Sequence, residues 1–551
     1  MKYNKLFLIV TVALSLATIS LVNGCSDKAK NDQFAPKDKD TLIRGNSAEP
    51  PTLDPAEAQD QYDINILYDL FEGLTNVDQN DQIIPGIASS WEISHGGKVY
   101  TFHIRDNAKW SNGQPVTAQD FIYAWQRAVA KATASPYAYI LSPIVNADAI
   151  TAGKLPASSL GAKALDAHTL QVTLVRPVSY FLQSLTMPVM DPLYAPSIKQ
   201  YGDSFTQPGH LVSNGAYYLS EWVKNGYLAE KKNPYYYDAK DVKIDNVKFL
   251  PIFDTNSELA QYKSGGIDIT YTVPVDQYND IKAQYADQLH TVLWAANYYY
   301  DLNMKDPAFA KNPKLRQALS MAIDRTTLAN TIVGGGRNAM YTFIPPTMEG
   351  GVLASFQPYS WQTEPYAQQA MEAKKLFNAA GYSTQHPLVL TVSYNTNDLN
   401  KKVALALASM WQQAFGENAI QVKLNNQEWG VFMQSRIDGT YQVARDAWLA
   451  DVDTLEDYTD LPMCKNPQND SHYCNPKYDQ LVNEAEHTLD PAKRIELIKQ
   501  SQTLLLNDYP VVPLFQDAYS RLMKPYVKGY DPTNNHLDHV ESKWMYFDYG
   551  N

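Results

Sequence analysis

Two arginines, two tryptophans and a carboxylate crowd one short stretch of this chain. It runs from Gln427-Glu428-Trp429 through Arg436 to Val443-Ala444-Arg445-Asp446-Ala447-Trp448-Leu449-Ala450-Asp451. The composition reads as a strand-and-loop region. In an extended run Tyr441, Val443, Arg445, Ala447, Leu449 and Asp451 share one face. At about 3.3 Å per residue, Arg445 and Asp451 then stand up to about 20 Å apart. A cation and an anion held apart between aromatic walls suit a zwitterion with an apolar or mixed middle, and a short peptide is one. The competing reading is that these charges are solvated or paired locally, Arg436 or Arg445 with Asp438 or Asp446, and Asp451 as a turn residue capping backbone amides.

The elements that must position these groups follow a mixed α/β pattern. Lys98 to Arg105 alternates Tyr100, Phe102 and Ile104 against polar residues, as a half-buried strand does. His168 to Pro177 repeats the pattern through Leu170, Val172 and Leu174, and Pro177 stops it. Pro313 to Arg325 carries a helical apolar stripe, Asp490-Pro491 opens another helix, and Val511 to Phe515 returns as a strand. Gly334-Gly335-Gly336 reads as a turn.

At 551 residues and 45% hydrophobic, the chain can build more than one core. A net charge of −13 argues against nucleic acid as a partner. Thirty-eight tyrosines and ten tryptophans supply flat apolar area with polar tips, useful in cores and around varied ligands alike. Residues 1–24 read as an export signal, with Lys2 and Lys5 ahead of an apolar stretch from Leu6 to Val22. Leu21-Val22-Asn23-Gly24-Cys25 resembles a bacterial lipoprotein box, so Cys25 is the expected lipidation site and 25–39 a flexible tether. The expected location is the bacterial cell envelope, on the periplasmic or outer face. In an exported protein the remaining pair, Cys464 and Cys474, reads as a disulfide. Zinc held with His472 is the alternative, and it lacks a fourth ligand.

Short runs spread along the chain carry a resemblance. They are Leu53-Asp54-Pro55, Asp69-Leu70-Phe71-Glu72-Gly73-Leu74, Tyr100-Thr101-Phe102-His103-Ile104-Arg105, Ala108-Lys109-Trp110-Ser111-Asn112-Gly113 and Val116-Thr117-Ala118-Gln119-Asp120-Phe121. Thr133 to Tyr137, Asn214 to Tyr217 and Arg316 to Leu319 follow in order. Together they resemble the periplasmic oligopeptide-binding proteins, the peptide branch of the extracellular solute-binding proteins that feed ABC transporters.

The resemblance implies an α/β, two-lobed, hinged periplasmic-binding-protein fold (type II, cluster C-like) with an additional third domain. Lobe I would take 40–72, 195–295 and 518–551, the extra domain 73–194, and lobe II 296–517. It implies that Asp451 meets the peptide α-ammonium and that Arg436 and Arg445 meet its carboxylate. Trp429 and Trp448 would wall side-chain pockets, and Tyr137, Tyr299 and Asn395 would lie near the ligand. Gln61, Ala447 and Leu449 complete the expected path. Gln59 stands where the family places a carboxylate and Asn400 where it places a histidine, and no lysine matches near Gly350 to Leu353. Peptide-length preference is therefore expected to differ. The family's inter-lobe disulfide falls at Ala296 and Leu449, where both cysteines are gone.

No cofactor is expected, and no zinc-protease, nucleophile-elbow or phosphate-loop motif occurs. The expected partners are short peptides and the permease subunits of an importer, with the chain a monomer. Murein tripeptide, haem or a metal complex is the alternative ligand set, and an adhesin without transport a third reading.

Overall fold

Two long strands, Leu289–Leu302 and Val511–Leu522, pair antiparallel and pass from one half of the molecule into the other. This computed structural model describes residues 40–78, 82–488, 490–531 and 535–550. The expected signal, tether and Cys25 lie outside the described residues. Between Leu293 and Asn297 the ladder slips, so that Trp294, Ala295 and Ala296 face Asp517 alone. Bulges of this kind bend a strand and interrupt its pairing. On one side of the slip Thr270 N–H donates to Leu522 O at 2.9 Å. On the other, Ala296 to Leu302 pairs with the strand Val443–Leu449.

That second half is a six-stranded sheet. Its order is Asn338–Ala339, Val511–Leu522, Leu289–Leu302, Val443–Leu449, Leu388–Asn395 and Ile420–Gln427. The last two run parallel, so a crossover must join them. Helix Asp398–Phe415 supplies it, burying Val403, Ala404, Leu407, Met410, Trp411 and Phe415 on one stripe. Asn397 caps it, accepting from the Leu399 and Asn400 amides.

The other half carries a four-stranded sheet of Thr41–Gly45, Asn246–Leu250, Tyr227–Lys232 and Tyr217–Val223. Beside it lies an antiparallel sheet of Ala88–Ser94, Val99–Ile104, Thr169–Thr173 and Ala162–Asp166. Tyr100, Phe102 and Ile104 are buried there, as their alternation requires. These two sheets share one continuous apolar core, which joins Leu42 and Phe249 to Phe102 and Trp125. The six-stranded sheet has a separate core. The molecule is thus two lobes, with the antiparallel domain packed as one body with the first.

Three local expectations differ. Trp429–Asp438 is a helix rather than strand and loop, capped by the Glu428 side chain and ended at Gly439 with φ +69°. The strand expected to reach Asp451 stops at Leu449. The helix expected from Pro313 to Arg325 ends at Met321. Asp490 opens Pro491–Asp508 by capping Ala492 and Lys493, and Gly334 to Gly336 is a turn.

Candidate functional site

Val443–Leu449 is an interior strand of the six-stranded sheet, between Leu289–Leu302 and Leu388–Asn395, and its residues differ in depth. Val443, Ala444 and Asp446 are buried, Arg445 and Ala447 half-buried, and Leu449 exposed. The Trp448 amide donates to the buried Asn297 side chain at 2.9 Å, which holds the strand's end against the hinge strand. Beyond it the chain bends, and Asp451 faces the antiparallel domain.

The Tyr139 hydroxyl donates to the Asp451 carboxylate across the lobe boundary. Burial pushes the Asp451 carboxyl above its ordinary value, while the Tyr139 and Tyr137 hydroxyls pull it back. No cation lies within ion-pair distance of Asp451 among the described residues. The Asp451 amide donates to Asp457 at 3.3 Å, and the Trp448 indole N–H donates to the same oxygen at 2.7 Å. Two cavities flank Asp451. One, of about 190 Å³, runs between the lobes past Tyr139, Tyr180, Trp448 and Asp460. The other, of about 50 Å³, touches Gln61, Tyr68, Tyr137, Leu449 and His539.

At the other end of the strand the Arg445 guanidinium stacks on the Tyr298 ring, 4.9 Å from its centre. Its Nε is buried without a hydrogen-bond partner, and no carboxylate pairs with it among the described residues. The Tyr298 hydroxyl donates to Asn400 at 2.8 Å, and Asn400 donates to the Asn395 side chain at 2.8 Å. Arg445, Asn395 and Asn400 therefore form one polar end, opposite to Asp451.

Arg436 is placed differently. It lies in the helix behind the strand, buried, and its guanidinium pairs with both Asp446 and Asp470. Burial works against its charge, but Asp446, Asp470 and Asp301 together hold the proton more firmly than usual. The Tyr299 hydroxyl donates to Asp446 at 2.7 Å, so Tyr299 belongs to this buried cluster. Trp429 is 51% exposed in the first turn of its helix and lines neither cavity. Gln59 is exposed, and Ala447 donates its amide to Asp446 at 2.8 Å.

Cys464 and Cys474 are bridged. The loop they close carries Asp470 to Arg436, and Asn466 and Gln468 to the larger cavity. Sequence reading missed Tyr139, Tyr180, Asp457 and Asp460. Tyr139 alone had a signal, since it lies two residues from Tyr137. Among the described residues no cluster of three or more His, Cys, Asp or Glu side chains suits a metal ion.

Known proteins share this fold. The bacterial extracellular solute-binding proteins of family 5 (middle) match residues 82–470. The periplasmic oligopeptide-binding protein OppA of Salmonella typhimurium is 38% identical over 504 residues, covering 90% of this chain and 91% of that one. The unliganded open form of the murein tripeptide-binding protein MppA superposes with a TM-score of 0.81 at 36% identity, covering 93% of this chain and 98% of that one. Haemophilus influenzae OppA in complex with RPPGFSPFR gives 0.77 at 36% identity, covering 93% of this chain and all of the other, 100%. With a two-lobed fold, a cleft at the hinge and a family match over most of its length, the chain belongs to the bacterial extracellular solute-binding proteins of family 5.

Proposed function

We propose that this chain captures short peptides with a free amino terminus between its lobes and delivers them to the permease of an ABC importer, without catalysis of its own. The observation that carries this reading is the pair of charges without counter-ions at the two ends of the Arg445 to Asp451 segment. The Asp451 carboxylate meets the Tyr139 and Tyr137 hydroxyls with the Asp457 carboxylate close by, Arg445 lies on an aromatic ring, and neither has an ion-pair partner among the described residues. A buried charge without a counter-ion is costly, and a zwitterionic ligand supplies both counter-ions at once. An ammonium on Asp451 and a carboxylate on Arg445 are charge-assisted bonds, about twice as strong as neutral ones. Arg436, already paired twice, serves as the strut behind the strand.

In this reading the moving bodies are lobe I (40–72, 195–295, 518–551) with the extra domain (73–194), and lobe II (296–517). The continuous core joining the first two supports treating them as one. Tyr139 to Asp451 and the 3.0 Å Arg176–Glu486 ion pair then tie the bodies across their boundary. Cys25 carries the lipid that keeps the mature chain at the envelope. Among the described residues no helix is long and apolar enough to cross a membrane.

Calorimetric titration of the chain from residue 36 onward, refolded to strip bound ligand, tests the reading with Ala-Ala-Ala and its N-acetyl form. Binding of the free peptide and its loss on acetylation is the expected result. Equal binding of both would remove Asp451 as the amine anchor. Binding of neither, by folded protein, would turn the assignment to a specialised ligand, murein tripeptide first, which the likeness to MppA favours.

A further inference from the structure

The larger cavity beside Asp451 has walls of two kinds. Ile140, Pro143 and Leu461 are apolar, Tyr180 and Trp448 offer aromatic faces, and Asp460 presents a carboxylate. Asp460 Oδ1 is sealed from solvent and has no hydrogen-bond partner. The Asp460 backbone is held from both directions. Its amide donates to Glu456 O at 3.1 Å, and its carbonyl accepts from Asn466 Nδ2 at 2.8 Å. Both Asn466 and Asp460 line the cavity, so the carboxylate stands on a fixed wall.

The charge around this cavity does not balance. The two nearby arginines are already engaged, Arg176 with Glu486, and Arg494 with Glu456 and Glu349. Asp451, Asp457 and Asp460 have no ion-pair partner among the described residues. Burial, with Glu486 and Glu456 nearby, pushes the Asp460 carboxyl up to about 7 against the pull of Arg176. Burial and Asp451 push Asp457 well above its ordinary value. Buried polar groups in native proteins almost always find a partner, so an orphaned carboxylate oxygen on a residue that lines a cavity marks a place for a donor from outside.

Resting on the peptide reading above, we propose that this cavity receives the side chain of a lysine or arginine at the peptide's amino-terminal position, with Asp460 meeting its cationic head. The ammonium on Asp451 brings that residue to the cavity mouth, because Asp451 lines the cavity itself. The apolar and aromatic walls take the alkyl stem, as such stems bury readily while their heads stay polar. Asp460 at the wall supplies the charge-assisted bond.

Affinities of Lys-Ala-Ala, norleucine-Ala-Ala and Ala-Ala-Ala for the refolded chain test this. Lys-Ala-Ala is expected to bind about tenfold or more tighter than norleucine-Ala-Ala, the size of one hydrogen bond to a charged group. In Asp460→Asn that ratio is expected to fall close to one. Titration of the unmodified protein in buffers of different ionisation enthalpy gives an independent readout. The lysine peptide should release more protons than the norleucine peptide as it replaces the proton held at Asp460. Equal affinity of the two in the unmodified protein overturns the proposal and leaves the peptide reading standing. So does a preference that survives Asp460→Asn. Failure of all three peptides to bind overturns both.

Discussion

The Tyr139 hydroxyl donates to the Asp451 carboxylate across a sequence separation of 312 residues, from the antiparallel domain to the second lobe. The bond does two things at once. It ties the lobes together, and it holds the carboxyl closer to its ionised form against the pull of burial. An ammonium ligand needs that ionised form.

Tyr139→Phe should therefore weaken Ala-Ala-Ala binding, and more at acidic pH. Without the hydroxyl, Asp451 keeps its proton to higher pH, so less of the binding form is present. We expect a loss of roughly tenfold near pH about 6, of the order of one hydrogen bond to a charged group, shrinking as pH rises. An identical loss at both ends of a pH series by titration calorimetry would show that the hydroxyl only shapes the pocket.

Arg436 and Arg445 should separate cleanly. Arg436→Met strands Asp446 and Asp470 in the interior, and loss of a buried partner typically costs about 3–5 kcal/mol. Arg445→Met breaks no ion pair and should cost under about 1 kcal/mol of stability, yet lower peptide affinity by about tenfold or more. Urea unfolding alongside titration checks both. A stable Arg436 variant with lost binding would move the carboxylate site to Arg436.

Stability should fall as pH rises through the neutral range. Burial holds Asp63 up to about 6, and Glu258 and Asp460 up to about 7. In the unfolded chain such groups titrate near about 4, so the folded form binds more protons between about pH 4 and pH 7. This contribution is fully present below the unfolded value and is lost as pH passes the folded one. His290 and His472, lowered by burial, act in the opposite sense below about pH 6.5 but are outnumbered. Differential scanning calorimetry should give a higher Tm near pH about 5.5 than near about 8. The reverse order would mean the carboxyls are hydrated or paired.

Ala296 and Leu449 stand directly opposite in the antiparallel pairing. The next pair bonds from Ala450 N–H to Ala295 O at 2.8 Å, which makes Ala296 and Leu449 a non-hydrogen-bonded pair. Such pairs bring Cα atoms to about 4.5 Å, within disulfide range. Ala296→Cys with Leu449→Cys should therefore oxidise spontaneously. Two persistent free thiols by thiol titration would show that the strands diverge here in solution.

Much of the fold was legible because it rests on local periodicity. Tyr100, Phe102 and Ile104 alternate because one face of their sheet meets the core, and the Asp490 cap needs only its next three residues. The helix from Trp429 to Asp438 was hidden by its β-branched and aromatic content, which reads as strand until the Glu428 cap and Gly439 terminator are weighed together. In the site, Arg445 and Asp451 could be read as the two ends of one run, since spacing along a chain sets their separation. That Arg436 is consumed by Asp470 could not be read, because a disulfide-closed loop over thirty residues away delivers that partner. Nothing in the local spacing of Asp457 and Asp460 marks them as site residues. Only the packing of the antiparallel domain against them makes them walls of a cavity.

The slip at Trp294 to Ala296 has a mechanical consequence. The joint between the lobes is confined to three peptide units opposite Asp517, and Ala295 O accepts from both the Ala450 amide and the Tyr458 hydroxyl, each at 2.8 Å. The break in the ladder is thus also the floor against which the Leu449 to Asp451 segment rests. A ligand lying along that segment would splint the joint it crosses. Occupancy and lobe angle would then be one variable, legible from the far rim of the molecule without any contact to the ligand.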